Sequence, residues 1–360
     1  GSLAGLGFEA GNFHFSIQDP ETADCTVCHD AGGVAADLVA VTDFHNGSIT
    51  GRGGVIWDGV DTAVTEGALF NWQITGVADD GTDLTITWQA SYNGVGVDPC
   101  NATPGANAPA FYAIPPFTRA DGTTQNRNNL SILRNYAQGE DFILGTNPDE
   151  AGIPGDPPDG VSYSVSADNT TCAGNVATTV VPVEGTDAMY GRVAIQGKPW
   201  VVAVDPDDED GVMQVRAKTP TYDWVIGEDG AAPVRRAIAD TGLCLKCHVG
   251  SLYQHGGNRV DNIDMCYLCH NAAANDEYVR VDDYGVDASE AYDGRAGQAF
   301  GIKEMVHAVH PAGATGNPIV IYRGRGIYGW ADDVSKLSNW PAGDWPGDVD
   351  DLPVFGSDDG

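Results

Sequence analysis

The chain has 360 residues, 42% of them hydrophobic, and its 51 acidic side chains outnumber 18 basic ones to give a formal net charge of −33. This hydrophobic content excludes a disordered acidic tail and suffices for domains with packed cores. The negative charge argues against binding to nucleic acid or to anionic membranes. We also expect no membrane span, because no apolar stretch is long enough to form one.

Residues 1–50 form the first of four predicted segments, and they contain the motif Cys25–Thr26–Val27–Cys28–His29. Two further histidines, His14 and His45, flank this motif, and each lies beside phenylalanine. Glycine and aspartate are frequent, and helix signals are weak. We therefore predict loops and short turns that wrap around whatever the motif binds.

Residues 51–232 form the second segment, in which apolar and polar side chains alternate with the period of two that predicts strands. The alternating apolar residues include Phe70, Trp72, Ile74, Leu84, Ile86, Trp88, Val161, Tyr163, Val165, Tyr222, Trp224 and Ile226. Turns rich in Gly, Asp, Asn and Pro separate these runs, which predicts an antiparallel β-sandwich or barrel. Residues 198–205 predict a strand that is buried on both faces.

An acidic turn, Asp205–Gly211, follows this run. Its oxygen atoms could bind calcium, but the spacing is not that of an EF-hand. A solvated hairpin tip is the preferred interpretation.

Residues 233–315 form the third segment, which contains two more Cys-x-x-Cys-His motifs. Their residues are Cys244, Cys247 and His248, then Cys266, Cys269 and His270. We predict a helix from Pro233 to His255 and a second helix over Gly301–His310, which ends before Pro311. Its apolar face would consist of Ile302, Met305, Val306 and Val309.

Residues 316–360 form the fourth segment, an extended carboxyl-terminal tail that starts with a strand at Ile319–Tyr322. The Asn-Trp-Pro and Trp-Pro sequences farther along favour extended backbone over helix.

Each of the three motifs matches the attachment site of c-type haem. The two thiols add to the haem vinyl groups, and the histidine that follows reaches the iron. A zinc site or a redox dithiol also uses Cys-x-x-Cys pairs. Zinc does not require histidine after every second cysteine, however, and a redox dithiol would occur once. The sequence therefore predicts three covalently bound haem c groups.

Two cysteines, Cys100 and Cys172, remain outside the motifs. Haem is attached outside the cytoplasm, where disulfides also persist. We therefore predict a Cys100–Cys172 disulfide, and an exported chain from which a signal peptide has been removed.

Five histidines remain as candidate sixth ligands to the irons: His14, His45, His255, His307 and His310. His307 and His310 lie three residues apart, so a helix places both on one face. They could serve two neighbouring haems. His248 and His255 also share a face if that stretch is helical, so His255 should bind a different iron.

Residues 235–271 and 303–310 resemble the OmcA/MtrC family of outer-surface multihaem cytochromes. The likeness lies in Arg235–Arg236–Ala237–Ile238, in the two motifs with His255–Gly256–Gly257–Asn258–Arg259 between them, and in Lys303–His310. Gly191–Gln196 is similar to a strand of that family's β-domain. The resemblance implies bis-histidine haems, β-barrel-like domains and extracellular electron transfer. Family members carry about ten haems, and no further motif follows the paired-histidine helix here.

The sequence thus predicts an extracellular or outer-surface three-haem cytochrome, an electron-transfer protein and not an enzyme. We expect polymerisation into a filament, or nanowire, in which His14 or His45 reaches a neighbouring subunit. Other partners would be outer-membrane cytochromes and a terminal acceptor such as a metal oxide or another cell. The alternatives are a multihaem reductase with one open haem, and a monomeric surface cytochrome that docks to a partner.

Overall fold

The computed structural model describes residues 56–57, 60–111, 117–118, 124–125, 130–138, 143–144, 161–183, 188–208, 211–228, 231–232, 239–245, 251–254, 258–272, 274–309, 319–323, 326–330 and 354–355. These residues belong to two compact units. The larger lies within Gly53–Asp149 and Asp159–Leu268, and the smaller includes Cys269–Gly360.

The larger unit is built mainly of strands. Its first part contains β1 (Ile56–Trp57), β2 (Val60–Asp61), α1 (Thr62–Gly67), β3 (Phe70–Asp79), β4 (Asp83–Tyr92) and β5 (Val95–Gly96). The middle part contains β6 (Phe117–Thr118), β7 (Thr124–Gln125), β8 (Ser131–Gln138), β9 (Ile143–Leu144), β10 (Val161–Ser164), β11 (Thr170–Ala173) and β12 (Val176–Pro182). The last part contains β13 (Tyr190–Gln196), β14 (Trp200–Val202), β15 (Val212–Gln214), β16 (Thr221–Val225), α2 (Thr241–Cys244), β17 (Tyr253–Gln254), β18 (Arg259–Val260) and α3 (Ile263–Cys266).

Two antiparallel sheets form the framework of this unit. The first has the strand order β11-β12-β4-β3, with β5 beside β4, and the second has the order β10-β8-β13-β16, with β9 beside β8. Side chains from both sheets, including Trp88, Ile132, Ile195 and Trp224, share one hydrophobic core. The predicted mainly antiparallel β fold is confirmed.

Strands β3 and β4 show the predicted alternation directly. Phe70, Trp72 and Ile74 are buried on one strand, and Leu84, Ile86 and Trp88 on the other. The prediction of a fully buried strand at 198–205 is wrong. β14 is a short strand of a two-stranded ladder with β15, and Val202 is 45% exposed.

A disulfide joins Cys100 to Cys172 in strand β11, with a Cα–Cα distance of 5.9 Å. Both residues pack against the core of the larger unit. The predicted pairing is confirmed.

The predicted helix Pro233–His255 is wrong over most of the residues that the structure describes there. Only the single turn α2 is helical, and Tyr253–Gln254 is strand β17, which pairs with β18. His248 and His255, which are predicted to share one face of that helix, both lie outside the described residues.

The smaller unit contains α4 (Glu277–Asp282), α5 (Ile302–Val309), β19 (Ile319–Arg323), β20 (Gly326–Trp330) and β21 (Val354–Phe355). β19 and β20 are antiparallel, and β21 runs parallel to β20. The predicted strand at Ile319–Tyr322 and helix at Gly301–His310 are confirmed to within about a residue at the ends that are described. No helix in the described part of the chain is long and apolar enough to cross a membrane. The four-segment division of the chain stays a prediction.

Candidate functional site

Five of the predicted site residues lie in the described part of the chain: Cys244, Cys266, Cys269, His270 and His307. The others lie outside it: His14, Cys25, Cys28, His29, His45, Cys247, His248, His255 and His310. The site is therefore described here through the second and third motifs.

Both of these motifs begin with the same capped helical turn. Asp240 caps α2 by accepting a hydrogen bond of 2.8 Å from the Gly242 N–H, and Asn262 caps α3 by accepting one of 3.0 Å from the Asp264 N–H. The first cysteine ends each turn, and its Sγ lies 3.8 Å (Cys244) or 3.7 Å (Cys266) from the carbonyl oxygen of the capping residue. The cap thus fixes the first thiol at both sites.

The two turns are also joined to each other. The Ile263 N–H at the start of α3 donates to the Thr241 Oγ1 at the start of α2, over 3.1 Å. This hydrogen bond holds the first turns of two successive motifs side by side, although 22 residues separate them along the chain.

The segment that leads into α3 is hydrogen-bonded to the rest of the larger unit just before Cys266. Asn262 Nδ2 donates to the Thr219 carbonyl over 2.8 Å, and Thr219 N–H donates to the Val260 carbonyl over 2.9 Å. The neighbouring Asp261 carboxyl accepts a hydrogen bond of 2.7 Å from the Leu252 N–H. Burial is the main effect on this carboxyl and raises its pKa.

Three side chains in register across β8, β13 and β16 form what we call the polar row: Asn135, Arg192 and Asp223. Arg192 Nε and Nη2 bind the two Asp223 oxygens at 2.6 and 2.8 Å. Burial alone would lower the pKa of Arg192, but the bonds to Asp223 outweigh it and the pKa is raised. Two members of the row contact the motif segment at Asp264 and Leu268.

His270, the histidine of the third motif, has a fixed orientation in the smaller unit. Its Nδ1 lies 2.9 Å from the Phe300 carbonyl oxygen, and the Phe300 ring meets the imidazole edge-on at 5.6 Å between centroids. Because a carbonyl only accepts, we assign the proton to Nδ1. In the neutral imidazole the lone pair then resides on Nε2, the arrangement typical of a metal-binding histidine.

The backbone around His270 is held by the segment that leads into α5. The Ile302 N–H donates to the His270 carbonyl over 2.8 Å, and the Phe300 N–H to the Ala274 carbonyl over 3.0 Å. Gly301 permits this approach, since a Cβ there would lie 2.7 Å from the Asn271 carbonyl oxygen. His270 and the start of α5 are therefore one packed assembly.

Helix α5 turns one side toward its own unit. Ala308 packs with Phe300, Ile319 and Ile321, whereas His307 is exposed and Val306 is 37% exposed. The predicted apolar face is wrong at Val306, since the inner side follows positions 302, 305 and 308. His307 lies on the opposite side, and His310 lies outside the described residues.

A buried ion cluster supports the same unit. Arg280 binds Asp276 at 2.9 Å and Asp293 at 2.6 Å, and all three side chains are at most 4% exposed. Burial raises the pKa of the Asp276 carboxyl, although the hydrogen bonds from Arg280 oppose this. Asp276 also accepts the Gln298 and Tyr322 N–H groups at 2.6 and 2.7 Å. The cluster ties α4, β19 and the segment before Phe300 together.

The chemistry of this donor set fits haem c. Cys266 and Cys269 are half-buried and lie outside the disulfide, and the imidazole of His270 has its Nδ1 hydrogen-bonded to a carbonyl. Within the described ranges, the sole cluster of three metal-ligating side chains is Asp98, Cys100 and Cys172, and its two sulfurs form the disulfide.

The acidic turn Asp205–Gly211 connects β14 to β15. Asp205 Oδ1 accepts the Asp207 N–H at 2.8 Å and Asp208 Oδ1 accepts the Gly211 N–H at 3.1 Å. These carboxylates close the turn, and calcium binding there stays a prediction.

Sequence reasoning missed the capping residues, the polar row and Phe300. The caps left a signal, because Asp240 and Asn262 each stand four residues before the first cysteine of a motif and both are residue types that favour helix N-termini. The polar row and Phe300 left none, since their partners are distant in sequence.

No protein-family model matches this sequence, and no curated protein matches it. Among solved structures, the chain is similar to the outer membrane decaheme cytochrome OmcA, with a TM-score of 0.34 and 16% identity over 58% of this chain and 29% of that one. It is also similar to MtrC from Shewanella baltica OS185, with a TM-score of 0.36 and 14% identity over 79% of this chain and 42% of that one. The chain spans less than half the length of either structure.

Proposed function

We propose that this protein is an electron-transfer protein that binds three c-type haems and acts outside the cytoplasm. The observation that carries the proposal is the threefold Cys-x-x-Cys-His motif, two copies of which start with the same capped turn. When bound, haem c supplies an iron that accepts and releases one electron. The Cys100–Cys172 disulfide supports an oxidising compartment.

The chain's own residues provide attachment, orientation and spacing. The cysteines of each motif would hold the porphyrin edge, and His29, His248 and His270 would bind the irons. At His270, the hydrogen bond to Phe300 fixes the tautomer and the ring plane. The hydrogen bond between α2 and α3 supports a short separation between the second and third haems. A rigid site of this kind limits reorganisation during electron transfer.

We propose His307 and His310 as sixth ligands, with His255, His14 and His45 as the remaining candidates. The exposed position of His307, beside the exposed apolar Val306, supports a flat apolar group on that side of α5. Six-coordinate irons favour electron transfer over the alternative of a reductase with one open haem.

The haem count is tested by denaturing the purified protein and measuring its pyridine haemochrome spectrum. We expect three haems that stay with the polypeptide after extraction with acidified acetone, and two in Cys266→Ser/Cys269→Ser. Cys100→Ser/Cys172→Ser is the matched control and should keep three. A chain with bound zinc and no covalent haem would overturn the proposal.

The ligand assignment is tested on the same preparation. His307→Ala should convert one haem from low spin to high spin in the oxidised optical and EPR spectra, whereas Lys303→Ala, an exposed position on the same helix, should not. A wild-type protein that already contains a high-spin haem would favour the reductase.

Assembly into a filament, with other cytochromes and a metal oxide or another cell as further partners, is the finer part of the proposal. Three haems give a short path, and stacked copies would extend it. Electron microscopy of native material tests this, and a uniformly monomeric species with every iron ligated from its own chain would exclude it.

A further inference from the structure

We infer that the polar row of the β-sandwich, Asn135, Arg192 and Asp223, positions the third haem-binding motif, with Arg192 as its central positioning residue. This inference rests on the proposed function. It gives the second sheet a specific role, which is to position the residues that would hold the third haem.

The row lies on the side of the sheet that faces away from the core. On β13, Val193 and Ile195 point into the hydrophobic core, so Arg192 points to the other side. It is nevertheless only 6% exposed, and Asn135 is 2% exposed. A polar side chain on the outer face of a sheet is ordinarily exposed to solvent, so another segment of the chain must cover Arg192.

The cover is the segment that carries Cys266. Arg192 Nη1 donates to the Asp264 carbonyl at 3.1 Å and to its carboxylate at 3.3 Å. Asn135 Nδ2 donates to the Leu268 carbonyl at 2.5 Å. One contact thus lies two residues before Cys266 and the other two residues after it, immediately ahead of Cys269.

The two side chains that donate to the motif segment are themselves held by other hydrogen bonds. The bidentate pair with Asp223 fixes the guanidinium plane of Arg192, and the Asn135 Oδ1 accepts the Tyr136 N–H at 2.6 Å. The sheet therefore presents rigid donors to the turn, and a rigid donor transmits its position. Displacing the turn would displace the Cys266 thiol, which lies between the Asp264 and Leu268 contacts.

A merely structural ion pair of the same burial is available for comparison. Arg216 binds Asp61 at 2.8 Å with side-chain exposures of 6% and 28%, close to the 7% and 22% of Arg192 and Asp223. Asp61 is also the N-cap of α1 and accepts the Val64 N–H over 3.3 Å, so this pair holds the α1 end of the unit. Arg192→Gln and Arg216→Gln are therefore matched in the burial of the pair they break.

The experiment compares the holoproteins of wild type, Arg192→Gln and Arg216→Gln by EPR of the oxidised state, by redox titration and by thermal unfolding. We expect both variants to unfold at lower temperature. Only Arg192→Gln should change one of the low-spin signals, about one third of the low-spin intensity for one haem in three, together with the potential of one haem.

Asp264→Ala keeps the test decisive if Arg192→Gln does not fold. Its carboxylate is 55% exposed, so the fold should survive, and the same EPR signal should shift by less. In a Cys266→Ser/Cys269→Ser background, Arg192→Gln should leave the two remaining signals unchanged. An Arg192→Gln spectrum and potentials equal to those of Arg216→Gln would overturn the inference. A wild type without covalent haem would instead overturn the proposed function.

Discussion

Gly191 on β13 is where a single methyl group should do the most damage to the β-sandwich. A Cβ built at Gly191 would lie 2.0 Å from Cη2 of the Trp224 indole and 2.3 Å from its Cζ2. Trp224 is fully buried, and its Nε1 donates to the buried Asp79 Oδ2 over 3.0 Å. Gly191→Ala therefore forces the indole to move by more than 1 Å or the two strands to separate.

Two costs combine in this variant. Overpacking a core costs about 1–3 kcal/mol, and losing the indole donor leaves a buried carboxylate oxygen without it at about 1–3 kcal/mol. We expect a total of about 2–6 kcal/mol, which lowers the unfolding temperature of a unit of this size by about 10 °C. Far-UV circular dichroism of the full chain, followed during heating, measures this.

Gly76 in β3 supplies the matched control. No atom lies within 4 Å of a Cβ built there, so Gly76→Ala should change the unfolding temperature little. Trp224→Phe should cost less in the Gly191→Ala background than in the wild type, because the smaller ring makes room for the methyl group. Equal unfolding temperatures for Gly191→Ala and Gly76→Ala would refute the steric argument.

Two further predictions concern the same unit. Removing the disulfide with Cys100→Ser/Cys172→Ser releases a loop closed over 72 residues and should cost about 4 kcal/mol in the chain-entropy account; an unchanged denaturation midpoint would contradict it. Asp261 has a pKa raised chiefly by burial, so the stability that its neutral form contributes is present below the unfolded pKa and lost as pH rises through the folded pKa. Asp261→Asn keeps an acceptor for Leu252 and suits the backbone φ of +50°. It should be more stable than wild type near neutral pH, and the difference should shrink as pH falls through the folded pKa and vanish below the unfolded pKa. A difference that is constant with pH would contradict that assignment.

The strands could be predicted from the sequence because alternation is a local property. Phe70, Trp72 and Ile74 repeat every second residue, and a sheet with one buried face requires that repeat. The prediction of a fully buried strand at 198–205 was wrong because an apolar run in the sequence does not show whether both faces of the strand are covered. Val202 has no cover, and the two-stranded ladder of β14 and β15 leaves it exposed.

The helix predicted at Pro233–His255 was wrong where a local preference for helix competes with hydrogen bonds to a distant element. The turn α2 starts at its cap, Asp240, and 253–254 pairs with 259–260 as strands instead of continuing a helix. That ladder is held from outside, because Val260 N–H donates to the Thr219 Oγ1, 41 residues away. Tertiary hydrogen bonds of this kind override local propensity.

The candidate haem-binding residues could be proposed from the sequence because the motif lies within five consecutive residues. Their positioning could not. Arg192 is 72 residues from Asp264, and Asn135 is 133 residues from Leu268. A single arginine in a strand gives no sign of which segment it will meet, so contacts at that range emerge only from the fold.

The buried arginines leave the formal net charge a fair measure of the surface. Arg134, Arg192, Arg216 and Arg280 are each at most 7% exposed, although the whole chain has only 18 basic residues. Three of them are paired with aspartates, Arg192 with Asp223, Arg216 with Asp61 and Arg280 with Asp276 and Asp293, so their burial withdraws positive and negative charge together. The formal charge of −33 therefore remains a measure of the outer surface, and a surface of that charge repels like-charged copies. Contact between copies would then need short-range interactions or screening ions to overcome this repulsion.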